Sequence, residues 1–148
     1  MNDTHYIPPA TPDRVFNRVV GWLADHGVNL AGAHTLTVVG RVSGTPQKVP
    51  VNPLRFEGAE YLIGIRGETQ WVRNARAAGT VELRRGRRRR TVALHEVDPA
   101  QRVPILRTYL AKWGWEVKRF LPEGLSVDAG DDELAAHAHQ LPVFVIAR

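Results

Sequence analysis

Between Gly40 and Pro46 the chain reads Gly-Arg-Val-Ser-Gly-Thr-Pro. A glycine-flanked turn of this kind can aim successive backbone N–H groups at an anion. Ser43 and Thr45 would add hydroxyl donors, and Arg41 a positive charge. The same residues also suit a plain hairpin turn with a surface arginine. A second segment runs from Gly67 to Gly79 as Gly-Glu-Thr-Gln-Trp-Val-Arg-Asn-Ala-Arg-Ala-Ala-Gly. As a helix it puts Trp71 and Asn74 on one face and Arg73 and Arg76 on another. From the first turns, a tryptophan can pack on a planar ring while Asn and Arg donate to acidic groups. The alternative is an amphipathic helix that buries Trp71 in a core.

The third conspicuous group is Arg84, Arg85, Arg87, Arg88, Arg89 and Arg90, six cations within seven residues. The formal net charge is +5, from 20 Lys plus Arg against 15 Asp plus Glu. Without the run the balance is 14 against 15, so the basicity is one local patch. The run reads as a solvated hairpin tip, as a contact for an acidic tail, or as a nucleic-acid contact. Nucleic acid ranks last, because no aromatic interleaves with the arginines to stack on bases.

Other chemistries find little support. There are no cysteines, which removes disulfides, thiolate nucleophiles and cysteine metal sites. The histidines are scattered at 5, 26, 34, 95, 137 and 139. His137 and His139, two apart, would face different ways on a helix, so no metal site is expected. Asp131, Asp132 and Glu133 read as a helix N-terminus. Ser43 has no His and Asp at a hydrolase spacing.

The elements that must carry these residues follow from periodicity. Thr11-Pro12-Asp13 starts a helix over 12–26, with Val15, Phe16, Val19, Val20 and Leu23 on one face. Thr35–Val39 is rich in β-branched residues and reads as a strand. Lys48–Phe56 reads as a second strand, confined to an edge or an irregular path by Pro50 and Pro53. Tyr61–Ile65 is a third strand, and the Gly67 segment is a short helix stopped at Gly79. Val81–Leu83 and Thr91–Leu94 form a hairpin whose tip carries the arginines. Asp98-Pro99 starts a helix with Ile105, Leu106, Tyr109, Leu110 and Trp113 on its apolar face, and Pro104 implies an irregular first turn. Residues 114–130 give no clear pattern, and Val143–Ile146 is a closing strand.

Hairpins dominate and no strand–helix–strand series repeats. The expected fold is mainly β with helices, a six-stranded split antiparallel barrel in one domain over 1–148. A hydrophobic fraction of 43% and a charged fraction of 24% are ordinary for a folded protein. No stretch approaches the length of apolar chain that spans a membrane, and no secretory signal pattern opens the chain. The expected location is the cytoplasm.

Taken in order, strand, Gly-Arg-x-Ser-Gly, two strands, then Gly-x-x-x-Trp-x-x-Asn-x-x-Ala, the chain resembles the deazaflavin-dependent nitroreductase family. The resemblance covers residues 35–97 and the closing Leu141-Pro142-Val143-Phe144. It implies an FMN-binding-split-barrel-like fold, usually dimeric. It also implies reduction of small quinone-like, nitro or conjugated compounds by hydride from reduced coenzyme F420, the ring supplying the chemistry. No side chain is assigned a catalytic role. Arg41, Val42, Ser43 and Gly44 map onto the turn that holds the cofactor's phosphate end, and Trp71 and Asn74 onto the helix beside the deazaflavin. Many members carry a base where this chain has Val42, and an arginine where it has Gln47. Lys48 and Arg55 are the replacements at hand, although Lys48 should point to the opposite side of a regular strand from position 47. A phosphate-binding turn does not choose the ring, so FMN is the alternative cofactor, and a non-catalytic cofactor or nucleic-acid binder is the alternative function. The resemblance adds the cofactor's oligoglutamate as the acidic tail the arginines would meet. Tyr6, Tyr109 and Trp115 could stack on a planar substrate, and a quinone would make peripheral membrane association sensible.

Overall fold

The computed structural model describes residues 33–147. The helix expected over 12–26 lies outside them, as do Tyr6 and the side chain of Trp115. Seven strands form one antiparallel sheet: β1 (His34–Val39), β2 (Pro46–Val51), β3 (Leu54–Phe56), β4 (Ala59–Ile63), β5 (Thr80–Arg85), β6 (Arg88–Glu96) and β7 (Val143–Ala147). Their order across the sheet is β2-β1-β5-β6-β7-β4-β3.

That order dictates the shape. β2 and β3 are the two edges, yet only Asn52 and Pro53 separate them in sequence. Seven strands laid flat would hold their edges roughly 29 Å apart at about 4.8 Å per strand. Three virtual bonds from residue 51 to residue 54 reach about 11 Å at most. The sheet must therefore curl until its edges approach. No ladder joins β2 to β3 among the described residues, so the barrel stays split there.

The single strand expected from Lys48 to Phe56 is thus two, which is why the count is seven rather than six. Asn52-Pro53 breaks it, since proline offers no N–H to a ladder. Pro46 and Pro50 are tolerated because β2 pairs on one side only, with β1.

Alternation splits the apolar residues into two cores. Leu36, Val38, Leu62, Val81, Leu83, Val92, Leu94, Phe144 and Ile146 fill the barrel. Leu54, Ile63 and Val143 face outward under the helices α2 (Val103–Val117) and α3 (Asp131–His137). Each buried Leu or Phe contributes roughly 1.5–3 kcal/mol by leaving water. The helix α1 (Gln70–Ala78) adds Val72 and Ala75 to the barrel core. It packs so closely that a Cβ on Gly64 would lie 2.8 Å from Val72 Cγ2. Gly79 ends it in the left-handed conformation, φ 76°, donating to the Ala75 carbonyl.

The helix expected from Asp98-Pro99 is broken into two pieces. Asp98 Oδ1 accepts from the Ala100 amide and opens a single 3-10 turn, Pro99–Gln101. α2 proper begins at Val103, and Pro104 sits in its first turn, where no N–H is needed. At the junction Arg102 is 4% exposed and donates to the carbonyls of Val97, Ala138 and Leu141. Tyr109, expected as a stacking surface for substrate, is 5% exposed inside the outer core. Its place at helical spacing among Ile105, Leu106 and Leu110 puts it under the sheet. No helix of the described residues is long and apolar enough to cross a membrane.

The arginine run folds as the β5–β6 hairpin with Gly86 and Arg87 at its tip. Its members do not share one environment. Arg85 opposes Arg88 and Arg84 opposes Arg89, like charges across a ladder. Arg84 Nε donates to the Gly86 carbonyl at 2.8 Å. Arg90 forks onto Glu60 at 2.7 and 2.9 Å, reaching from β6 to β4 past the intervening β7.

Glu60 is 8% exposed, and the Arg90 hydrogen bonds hold its carboxyl below the ordinary 4.5, against the opposing effect of burial. A lowered folded pKa gives stability that is present above the unfolded value and lost as pH falls through the folded one. Glu60→Gln should therefore destabilise by about 2 kcal/mol at neutral pH. Urea titrations should show that gap shrinking below pH 4.5. A gap unchanged down to about pH 3 would contradict the assignment.

Candidate functional site

The two sequence segments meet at one end of the barrel. β1 and β2 are joined there by the Gly40–Thr45 turn, closed by Gly40 N–H to Thr45 O and Gly44 N–H to Gly40 O, both 2.9 Å. Gly44 takes φ 71°, a left-handed conformation that favours glycine. A Cβ on Gly40 would lie 2.6 Å from Ser43 Oγ, so the turn folds tightly over that position. Ser43 Oγ in turn accepts from the Thr45 amide at 3.2 Å.

Asn74 reaches this turn from α1. It is 2% exposed, and its Oδ1 accepts twice from one residue: from the Arg41 amide at 3.0 Å and from Arg41 Nη1 at 2.8 Å. Nη1 also donates to Gln70 Oε1 at 2.9 Å, one helical turn before Asn74. Asn74 Nδ2 donates to Gln47 Oε1 at 3.3 Å. Turn, strand β2 and helix α1 are thereby joined through one amide side chain. Trp71, half-buried, packs against the barrel core, its ring tilted 53° to Phe144 with centroids 6.1 Å apart.

Of the residues expected to act together, Arg41, Ser43, Gly44, Trp71 and Asn74 are gathered here. Val42 stands at the tip, 91% exposed, and supplies no charge. Lys48 takes the opposite face of β2 from Gln47, the acceptor for Asn74. Arg55 lies on β3 directly across from Glu60, close enough to lower that carboxyl's pKa, and so belongs to the Arg90 cluster. The arginine hairpin occupies the other end of the barrel. β5 leaves α1 at Thr80 and needs five steps, roughly 17 Å, to reach Arg85. Gln70 was not singled out by sequence reasoning, although its spacing of four from Asn74 on a helix was visible. His137 Nδ1 lies 2.9 Å from Gln140 Oε1, and no group of three or more metal-ligating side chains occurs among the described residues.

A family model for the F420H(2)-dependent quinone reductases matches residues 14–116, well over half of the chain. The chain belongs to that family. It is an F420-dependent reductase, with coenzyme F420 as its cofactor. No curated protein matches it by sequence. Among solved structures it is similar to a domain-swapped dimer with TM-score 0.54 and 16% identity, covering 92% of this chain and 93% of that one. It is also similar to an F420-H2 dependent reductase, FDR-A, with TM-score 0.52 and 17% identity over 78% and 94% of the two chains. A third is a protein assigned as a pyridoxamine 5'-phosphate oxidase from Listeria innocua, with TM-score 0.51 and 14% identity over 78% and 82%. At these identities the likenesses show the fold, a split barrel.

The residues of the reductase fit an anionic cofactor. Among the described residues Arg41 spends only Nη1, on Gln70 and Asn74, which leaves its Nε and Nη2 donors for an anion. The amides of Val42 and Ser43 have no acceptor among the described residues, in a turn whose other amides are bonded. The Val42 side chain is no loss to that backbone donation, since its N–H contributes whatever the side chain.

If Asn74 holds the turn, Asn74→Ala should free the Arg41 amide. Hydrogen exchange at that amide should quicken about tenfold or more, as for a local opening. An unchanged rate would mean that the turn holds itself.

Proposed function

We propose that the Gly40–Thr45 turn and the first half of α1 hold coenzyme F420 in this reductase. Arg41, Val42, Ser43 and Gly44 meet its phosphate end, the valine through its backbone, while Trp71 and Asn74 flank the deazaflavin. The observation that carries this reading is the double acceptance by Asn74 Oδ1, which holds the anion-binding turn against the aromatic helix. Lys48, on the far face of β2, adds positive charge beside the turn.

When bound in reduced form, the cofactor supplies a hydride for a small acceptor, a quinone in the first instance and nitro or other conjugated compounds as further candidates. The chain's own residues bind and orient. Arg41 supplies positive charge, Asn74 fixes the turn at its helix, and Trp71 offers a ring edge backed by Phe144. The reading takes residues 1–148 as one domain that works as a homodimer in the cytoplasm. The similar domain-swapped dimer supports the pairing, and the lack of cysteine suits a reducing compartment.

Titrating the purified protein with F420, and with FMN in parallel, tests the cofactor assignment through tryptophan fluorescence. Saturable quenching by F420 alone is expected, and quenching by FMN alone would contradict it. Trp71→Ala should weaken F420 binding about tenfold, the loss of one aromatic contact. It should leave a cooperative melting transition. Loss of that transition would make Trp71 a core residue first.

A further inference from the structure

On the side of α1 away from Arg41, one residue braces the helix. Arg76 lies between two carboxylates and forks onto both. Its Nη1 and Nη2 donate to Glu68 at 2.9 and 3.0 Å, and its Nε and Nη2 donate to Glu96 at 2.8 and 2.9 Å. Glu68 stands in the lead-in just before α1, and Glu96 ends β6. Glu96 Oε2 also accepts from Arg102 Nη2 at 3.3 Å, and Arg102 is the buried clamp at the start of α2. The four residues form one ion-paired chain that runs from α1 into the outer core. Bonding to Glu96 and Glu68 pushes the Arg76 guanidinium further above its ordinary pKa, so its charge is permanent.

A single exposed ion pair contributes little, but a guanidinium that forks onto two carboxylates, one of them tied to a buried arginine, fixes geometry. α1 needs such a constraint. Thr69 sits at its N-cap with no side-chain bond to the helix, and Thr69 Oγ1 is buried with no partner among the described residues. The first turn therefore lacks the side-chain acceptor that usually holds a helix start. Gln70 and Trp71 are the first two residues after that gap. Arg76 closes it from the far end of the helix by gripping Glu68.

We propose that Arg76 is a positioning residue for the cofactor site. With Glu68 and Glu96 as its anchors, it sets the pose of α1, and so the aim of Gln70, Trp71 and Asn74 at the Gly40–Thr45 turn. The proposal rests on the reading of that turn and helix as the F420 site, and it adds Arg76, Glu68 and Glu96 to the residues that shape it. A lysine in its place could not fork onto both carboxylates.

The test is a double-mutant cycle on F420 affinity, read by fluorescence titration. Arg76→Ala should raise the F420 dissociation constant about tenfold, as a small misplacement does. In an Asn74→Ala background, where the helix no longer holds the turn, the same change should add about twofold or less. Arg76→Lys should fall between wild type and Arg76→Ala. If Arg76→Ala proves too unstable, Glu68→Gln takes its place in the cycle with the same expectation. An unchanged dissociation constant in the single variant, or the same factor in both backgrounds, would overturn the proposal. Wild-type protein that fails to bind F420 would overturn the site reading as well, and that is seen before any variant is made.

Discussion

Two residues, Asn52 and Pro53, join strands that belong to opposite edges of the sheet, and the rest of the structure follows from that short link. A connection about 11 Å long cannot bridge a flat seven-stranded sheet, so the sheet has to roll. Rolling creates an inside for Leu36, Leu62, Leu83 and Phe144 and an outside that needs covering. α2 and α3 supply the cover, α1 sits against the barrel core, and Arg102 ties the β6–α2 corner to the lead-in of β7.

The proposed cofactor site is assembled across the β1–β5 pair. The turn after β1 and the helix after β4 are distant in sequence, and the β1–β5 ladder helps bring Arg41 to Asn74 across 33 residues. Asn74 can serve there because it is buried with its hydrogen bonds made, donating to Gln47 and accepting twice from Arg41. Gln47 thus serves as an acceptor for Asn74. In the site as proposed, the cationic duty falls on Arg41, whose Nε and Nη2 donors have no acceptor among the described residues. The hairpin arginines stand at the other end of the barrel, where Arg90 is committed to Glu60.

Local signals made much of this legible. The β-branched run at Thr35–Val39, Gly86 between two strand patterns, and Gly79 closing α1 each mark an element whose chemistry is contained in a few neighbouring residues. The ordered Gly-Arg-x-Ser-Gly and Trp-x-x-Asn motifs pointed to the family. What depended on distant pairing was hidden. Lys48–Phe56 looks like one proline-marked edge strand, and nothing local says that its halves lie on opposite edges. Arg90 looks like one more surface arginine until Glu60, 30 residues earlier, is placed beside it. The Glu68–Arg76–Glu96 brace joins a loop, a helix and a strand end with no shared periodicity. Tyr109 is the instructive error, since its helical spacing with Leu106 and Trp113 already assigned it to an apolar face.

Family membership fixes the cofactor and the class of reaction, and the Gly40–Thr45 turn with α1 is where we propose that the cofactor lies. The most direct test of that placement is hydrogen exchange across the whole chain with and without F420. The account predicts slowed exchange confined to amides of residues 40–47 and 69–74, with Val42 and Ser43 among the most affected. Protection centred on the arginine hairpin at 84–90, with the turn and helix unchanged, would contradict it.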